Sequence, residues 1–312
     1  MSPLRCVSSF RAGIALVLAA SLGLGACSIL HKKKPGLAYQ EKPVAPLFDA
    51  GADDLDHHRW KEAVAYFNEV EQQHPYSEWS RRSILMAAYA HFEAGDYPEA
   101  IADADRFISL YPGNSGAAYA YYLKAICDFE QINDVQRDQA ATEDARAALN
   151  EVVRRYPGTE YAEDARVKLD MVADQLAGKD MEVGRFYLRN GDPIAAIDRF
   201  RTVVETYQTT SHAPEALYRL VVCYLELGLS HEALENGAVL GYNYPGSPWY
   251  VAAYKLLTSK GLKPLVKPSR AGATGPRLIP NFRHEKKKAL PPPATASNAP
   301  TGPATTASLS PR

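Results

Sequence analysis

Residue types that could do chemistry are scattered along this 312-residue chain, and none of them forms a catalytic motif. No H-E-x-x-H or G-x-S-x-G sequence occurs. His57 and His58 are adjacent, so on a helix they would point about 100° apart and could not share a metal. The Gly113-Asn114-Ser115-Gly116 turn lacks the Lys-Ser/Thr pair that completes a phosphate-binding loop. The sequence therefore predicts no enzyme activity, no metal and no cofactor.

The thiol of Cys27 is the side chain whose surroundings do indicate chemistry. Two arginines precede an apolar run over 14–24, too short to span a membrane, which is typical of a signal peptide over residues 1–26. The run ends in Leu24-Gly25-Ala26-Cys27, which resembles the bacterial lipobox. That resemblance implies cleavage before Cys27 and acylation of its sulfur and new amino group, and two or more acyl chains anchor a protein stably. The alternative is an ordinary signal peptide with a chance cysteine.

The residues after Cys27 predict where the chain is held. An aspartate in the next position tends to retain such lipoproteins at the inner membrane, and this chain has Ser28 instead. We therefore expect a lipid anchor in the outer membrane, on its periplasmic side. Residues 27–46 contain the run Lys32-Lys33-Lys34 and three prolines and predict a tether.

Two cysteines remain in the predicted folded region, Cys127 and Cys223. They fall in helices of different repeats, and repeats that are not neighbours in a stack do not touch. We therefore expect both to be small buried apolar residues rather than a disulfide.

The side chains of the folded region must be positioned by a helical unit that repeats along the sequence. Its pattern is clearest over 95–112, where a Gly-Asp turn precedes a helix with apolar residues at helical spacing and a closing proline. Ala100 lies 12 residues before Pro112, and the same offset joins Ala63 to Pro75, Ala145 to Pro157, Ala196 to Gln208 and Ala233 to Pro245. A small residue, an aromatic four later and a final proline are typical of tetratricopeptide repeats (TPR). The end residues are 37, 45, 51 and 37 positions apart.

These repeats predict an all-α fold, a TPR superhelical solenoid of about five helix pairs over residues 47–258. The predicted pairs are 47–57 with 60–73, 77–94 with 97–110, 115–129 with 142–155, 181–189 with 194–206, and 213–227 with 231–240. We expect insertions around 131–140 and 160–180, the second being an extra helix over 160–176 that ends at a break at Gly178. A last helix over 250–257 would cap the stack.

The tail over 259–312 differs in composition from the repeats. Ten of the 22 prolines lie between 261 and 312, which predicts a disordered segment. It contains the basic run Arg283-His284-Glu285-Lys286-Lys287-Lys288, which either solubilises the chain or binds anionic lipid or cell-wall polymer.

Binding is the function that these features favour. The net charge of −1 does not suggest nucleic acid as a partner. The first helices of a TPR stack line its binding surface, and Tyr89, Tyr119 and Tyr122 lie on two neighbouring first helices. We predict that these tyrosines form a groove for an extended peptide with aromatic side chains. The alternative is that they pack between helices.

Several stretches resemble the BamD family, lipoproteins of the outer-membrane β-barrel assembly machinery. They include Asp105-Arg106-Phe107-Ile108 within 104–108, together with 74–77, 87–92, 154–161, 183–187 and 195–200. The resemblance covers roughly residues 27–240, and the tail departs from the common pattern.

The resemblance implies a non-catalytic adaptor with defined partners. Amino-terminal repeats would receive unfolded outer-membrane β-barrel proteins, and carboxy-terminal repeats would dock on the periplasmic domains of BamA, the insertase. Other Bam lipoproteins would be further partners. Arg199 matches a family arginine that faces BamA, and it lies between core-facing Ile197 and Phe200, pointing outward. The alternative is an exposed arginine without a partner.

Two other functions remain open, a TPR pilotin and a peptidoglycan-associated scaffold lipoprotein. A pilotin would be shorter and carry regular 34-residue repeats, which the uneven spacing disfavours. A scaffold that uses the basic tail should lose wall association when 261–312 is deleted, whereas a BamD-like adaptor should tolerate that deletion.

Overall fold

The structure is a computed structural model that describes residues 42–265 and residue 267, and every regular element in that part is an α-helix. The helices are α1 (Val44–Asp56), α2 (Trp60–Gln73), α3 (Glu78–Ala94), α4 (Tyr97–Leu110), α5 (Ala117–Glu130), α6 (Ala140–Arg155), α7 (Glu160–Arg189), α8 (Pro193–Thr206), α9 (Ala213–Glu226), α10 (Ser230–Asn243) and α11 (Pro248–Ser259). The all-α prediction is confirmed. No helix within these residues is both long and apolar enough to cross a membrane.

The helices pack as consecutive pairs. Each packs against the next one along the chain, and α1, α3, α5 and α7 also pack successively against one another. The pairs are α1–α2, α3–α4, α5–α6, α7–α8 and α9–α10, followed by α11, which packs on the fifth pair as the predicted cap. This is the predicted stack of five TPR-type helix pairs.

Every second helix of a pair buries the same three positions, namely an alanine and the residues four and seven places later. These are Ala63, Phe67 and Val70; Ala100, Ala104 and Phe107; Ala145, Leu149 and Val152; Ala196, Phe200 and Val203; and Ala233, Gly237 and Leu240. Positions spaced by four and three lie on one helix face. The repeat register predicted from the alanines is therefore confirmed in all five pairs.

The turns between pairs also repeat. The hydroxyls of Ser77 and Thr159 each donate to the carbonyl three residues earlier, at 2.7 and 2.8 Å. Each also accepts the backbone N–H three residues later, at 3.0 and 3.2 Å, which caps the following helix. The same side chains thus close one pair and start the next.

The predicted break at Gly178 is wrong, because α7 runs without interruption over Glu160–Arg189. Gly178 is buried within the helix, and a Cβ placed there would lie 3.2 Å from both Val135 Cγ1 and His212 Nε2. The glycine therefore allows two flanking loops to approach the helix and does not end it.

One of those loops, 131–139, is the predicted polar insertion, and it is fastened to α7. Gln175 donates to the carbonyl of Asn133 at 2.7 Å, and Lys179 donates to the carbonyl of Gln136 at 3.2 Å. These bonds hold the loop against the middle of the long helix.

Several predicted boundaries concern residues that the structure does not describe. The signal peptide, Cys27, most of the tether and the tail beyond 267 with its basic run lie outside the described residues. Where the chain is described, α1 already begins at Val44, three residues before the predicted start of the solenoid. Cys127 and Cys223 are free and buried, as predicted.

Candidate docking surface

Two of the three predicted groove tyrosines belong to the core. Tyr119 and Tyr122 have no exposed surface, and their rings lie 5.7 and 5.2 Å from the ring of Tyr161 on α7. The first half of α7 covers this side of α5, so neither ring can contact a substrate. The groove prediction is therefore wrong for these two residues. It did not include the packing of α7 on α5, which buries both rings.

Tyr89 on α3 differs from them, because it keeps part of its surface accessible. Burial and the neighbouring Glu93 carboxylate raise the pKa of its phenol to about 12. The phenol is therefore neutral at physiological pH and can both donate and accept a hydrogen bond.

Arg199 lies on the surface of α8, as its position between Ile197 and Phe200 predicted. Its guanidinium Nη1 lies 3.3 Å from Asp180 Oδ1 of α7, and the two side chains are 45% and 16% exposed. Burial raises the pKa of Asp180, and the Arg199 guanidinium partly opposes this by stabilising the carboxylate. Arg199 thus already has one carboxylate partner within the chain.

Large apolar side chains are exposed at the turns of the fourth and fifth pairs. Phe186 and Ile194 flank the α7–α8 turn and are 53% and 69% exposed, while Leu227 and Leu229 flank the α9–α10 turn and are 38% and 42% exposed. Successive helices run antiparallel and α8 packs on α9, so both turns lie at the same end of these pairs. We call these four residues the apolar turn edge.

The matching turns of the first two pairs are polar. The α1–α2 turn is formed by His57, His58 and Arg59, and the α3–α4 turn by Gly95 and Asp96. Exposed large apolar side chains that cluster on neighbouring turns are typical of a protein interaction surface. The sequence signal was present at Leu227-Gly228-Leu229, where a turn glycine has apolar residues on both sides.

Arg199 follows Ile194 of the apolar turn edge on the same helix. Ile194 and Arg199 are five residues apart on α8, which is about 7.5 Å along the helix axis. Five residues also turn about 140° around the helix, so Ile194 and Arg199 point to different sides of α8. Among the described residues, no three His, Cys, Asp or Glu side chains are grouped so that they could hold a metal ion.

Sequence comparisons identify relatives along most of the chain. Residues 40–240 match the family YfiO, described as outer membrane lipoprotein. The chain is 61% identical over 280 residues to the outer membrane protein assembly factor BamD of Caulobacter vibrioides, covering 90% of this chain and 91% of that protein. It is 43% identical over 244 residues to the protein of the same name from Rickettsia prowazekii, covering 78% and 96%. The protein of that name from Neisseria meningitidis serogroup A is 30% identical over 253 residues, covering 78% and 95%.

Proposed function

This chain belongs to the YfiO family of outer membrane lipoproteins, and we propose that it is a BamD-type adaptor that docks on BamA and receives unfolded β-barrel proteins. As an outer membrane protein assembly factor, like its curated relatives, it would work with the other Bam lipoproteins at the outer membrane. The role is one of binding, and it needs no catalytic residue.

The anchor in this proposal is Cys27, acylated after removal of residues 1–26. The family description as an outer membrane lipoprotein supports it, as do the lipobox-like Leu24-Gly25-Ala26-Cys27 and Ser28. The helix pairs would then lie on the periplasmic side of the outer membrane.

The apolar turn edge is the observation that carries the docking proposal. Four large apolar side chains stand on neighbouring turns of the two carboxy-terminal pairs, whereas the matching turns of the first two pairs are polar. Covering such side chains with a partner removes apolar area from water, which drives association. We assign this edge, with Arg199, to the periplasmic domains of BamA.

Arg199 would contribute specificity to that contact. Its guanidinium is nearly half exposed while it holds Asp180, so its remaining N–H donors can reach a carboxylate on BamA. Because Arg199 is already paired, a carboxylate of BamA would share it with Asp180.

Substrate reception would use the first helices of the amino-terminal pairs. With Tyr119 and Tyr122 in the core, Tyr89 is the predicted groove residue that remains available. Its ring would pack on an aromatic side chain of the substrate segment, and its neutral hydroxyl would bond the segment backbone.

The test of docking is copurification from detergent-solubilised outer membrane at native abundance. Ile194→Asp and Phe186→Asp should each lower the BamA recovered by about tenfold, the equivalent of 1.4 kcal/mol. The matched control is Leu110→Asp, because Leu110 is 55% exposed at the end of α4, away from the proposed edge. Equal BamA recovery with Ile194→Asp and Leu110→Asp would exclude the apolar turn edge.

A second set of variants tests Arg199 separately. Arg199→Glu should reduce BamA recovery, but it also places two carboxylates together, so its effect must be separated from local repulsion. Adding Asp180→Asn removes that repulsion, and we expect the double variant still to bind poorly. Full recovery in the double variant would mean that Arg199 acts only through Asp180.

The same preparation distinguishes the other two functions. Recovery of a secretin instead of BamA would indicate a pilotin, and recovery of wall polymer would indicate a scaffold. Removing residues 266–312 should leave BamA recovery unchanged, whereas a scaffold that uses the basic tail would lose its wall association.

A further inference from the structure

A cavity of about 360 Å³ lies between the two helices of the third pair, away from the apolar turn edge. Its volume falls within the roughly 300–1,000 Å³ of typical ligand pockets. The lining residues are Tyr121, Lys124 and Asp128 from α5, and Asp144, Ala147, Ala148 and Glu151 from α6. The cavity therefore combines an aromatic ring and two alanines with charged groups.

The charges in the cavity are only partly balanced. Lys124 is held by Asp105 of α4, with Nζ–O distances of 2.7 and 3.0 Å, and Glu151 pairs with Arg154 and Arg155. Among the described residues, none donates a hydrogen bond to the side-chain carboxylate of Asp128 or Asp144.

Asp128 is the more informative of these two carboxylates, because it is partly buried. Burial raises its pKa, Lys124 opposes the rise, and the nearby carboxylates of Asp144 and Asp105 add to it. A cation placed between Asp128 and Asp144 would stabilise both charges without displacing Lys124 from Asp105.

Two residues that line the cavity, Tyr121 and Glu151, already contact one guanidinium. The Cζ atom of Arg155 lies 5.0 Å from the centroid of the Tyr121 ring, and the same side chain pairs with Glu151. An aromatic face together with a carboxylate suits the flat guanidinium group, which can stack and form paired hydrogen bonds. The unpaired carboxylates at Asp128 and Asp144 offer the second half of the same chemistry.

We propose that this cavity binds an arginine side chain of a partner polypeptide, with the guanidinium bonded to Asp128 and Asp144 and the alkyl stem against Ala147 and Ala148. The proposal deepens the adaptor function, since it adds a contact of defined chemistry on a pair that the apolar turn edge does not include.

The probe for this site is N-acetyl-arginine amide, added to the full-length chain in detergent with ¹³C-labelled alanine methyl groups. We expect saturable shifts of the Ala147 and Ala148 methyl signals. The neutral isostere N-acetyl-citrulline amide should bind about fivefold more weakly or worse, because it lacks the charge. Equal shifts from both amides, or none from either, would overturn the proposal.

Two variants make the result specific to the cavity. Asp128→Asn should weaken arginine amide binding by about fivefold or more, while Asp170→Asn, an exposed aspartate of α7, should leave it unchanged. Asp144→Asn provides a second test at an exposed position that cannot compromise folding. Unchanged binding in both cavity variants would refute the site.

The outcome is independent of the docking proposal. Arginine amide binding is measured on the isolated chain, whereas BamA recovery depends on the apolar turn edge. A failure here would leave the adaptor function standing, and a failure of BamA docking would leave the cavity with a different partner polypeptide.

Discussion

Lys168 brings a charge into the core between α5 and α7. Its side chain is 2% exposed, its ammonium lies 3.0 Å from Asp164 Oδ2 and 5.6 Å from the centroid of the Phe129 ring. Asp164 also accepts the hydroxyl of buried Tyr122 at 2.7 Å. Two buried polar groups therefore share one carboxylate, which is itself a quarter exposed.

This arrangement predicts opposite sensitivities for the two partners of the ion pair. Asp164→Ala removes the carboxylate that both buried groups contact and should lower the free energy of unfolding by about 3 kcal/mol. Lys168→Met should cost about 1 kcal/mol or less, because Asp164 retains contact with water and Met fills the buried volume. Urea denaturation followed by circular dichroism measures both, and a larger loss for Lys168→Met would contradict this account.

For single residues, the sequence predicts whether a side chain is exposed better than it predicts which residue that side chain contacts. The exposed position of Arg199 follows from helical spacing between Ile197 and Phe200. Its ion pair with Asp180 could not be predicted, because Asp180 was expected beside a helix break. The prediction for Tyr119 is wrong for a related reason, because nothing in the local pattern shows that the first half of α7 covers α5.

Among the elements, α7 differs most from its counterparts in the stack. Its 30 residues span about 45 Å, roughly twice the length of the 14-residue helices. Its second half pairs with α8, while its first half packs on the third pair. One uninterrupted helix therefore belongs to two neighbouring pairs and explains the longest repeat step, which the sequence predicted as an extra helix.

The sequence predicts a break at the glycine within that helix, because glycine disfavours helix interiors. Hydrogen bonding of α7 and its packing override this preference at Gly178. The polar composition of 131–139 predicted the insertion, but its attachment to Gln175 and Lys179 depends on contacts more than 40 residues apart.

Close packing between α7 and α8 gives a prediction at Gly184. A Cβ at this position would lie 2.5 Å from Cε1 of Phe200, whose ring is fully buried. We expect Gly184→Ala to destabilise the chain by about 1–3 kcal/mol through overpacking, although alanine favours a helix by up to about 1 kcal/mol. Thermal unfolding would record this as a lower midpoint.

The matched control is Gly113→Ala, since a Cβ at Gly113 has nothing within 4 Å. It should leave the midpoint within about 2 °C of the parent chain, as a surface substitution of under 0.5 kcal/mol would. Gly51→Ala should behave like Gly184→Ala, because its Cβ would lie 2.8 Å from the Phe67 ring at the same place in the first pair. A neutral Gly184→Ala would show that α7 and α8 can separate at little cost.

In the whole stack, each helix pair is stabilised by contacts with the neighbouring pairs. The outer face of the last pair has no further pair beside it, so another element must cover it. The fifth pair buries Leu217, Val221 and Leu240 against Tyr250 and Leu257 of α11. The five pairs and the final cap could be predicted from the sequence because the alanine register repeats locally. The longer repeat steps of 45 and 51 residues come from the insertion loop and the long α7. The positions of both depend on contacts between residues that are far apart in the sequence.

Two truncations test whether α11 is that cover. A chain ending at residue 246 loses Tyr250 and Leu257, each worth about 1.5–3 kcal/mol of buried apolar area, and leaves their partners in water. A chain ending at residue 265 keeps α11 and Leu262, which packs on the same cluster. Amide hydrogen exchange over residues 213–243 should therefore quicken by at least about tenfold in the shorter chain and stay unchanged in the longer one.

The same pair of truncations links stability to docking. Leu227 and Leu229 stand on the turn of the fifth pair, so loosening that pair should disorder half of the apolar turn edge and reduce BamA recovery from the shorter chain. The longer chain should recover BamA fully, since it retains every described contact of the fifth pair. Equal exchange protection in both chains would show that α9 and α10 are stable without α11, and a fall in BamA recovery would then assign α11 itself to the contact.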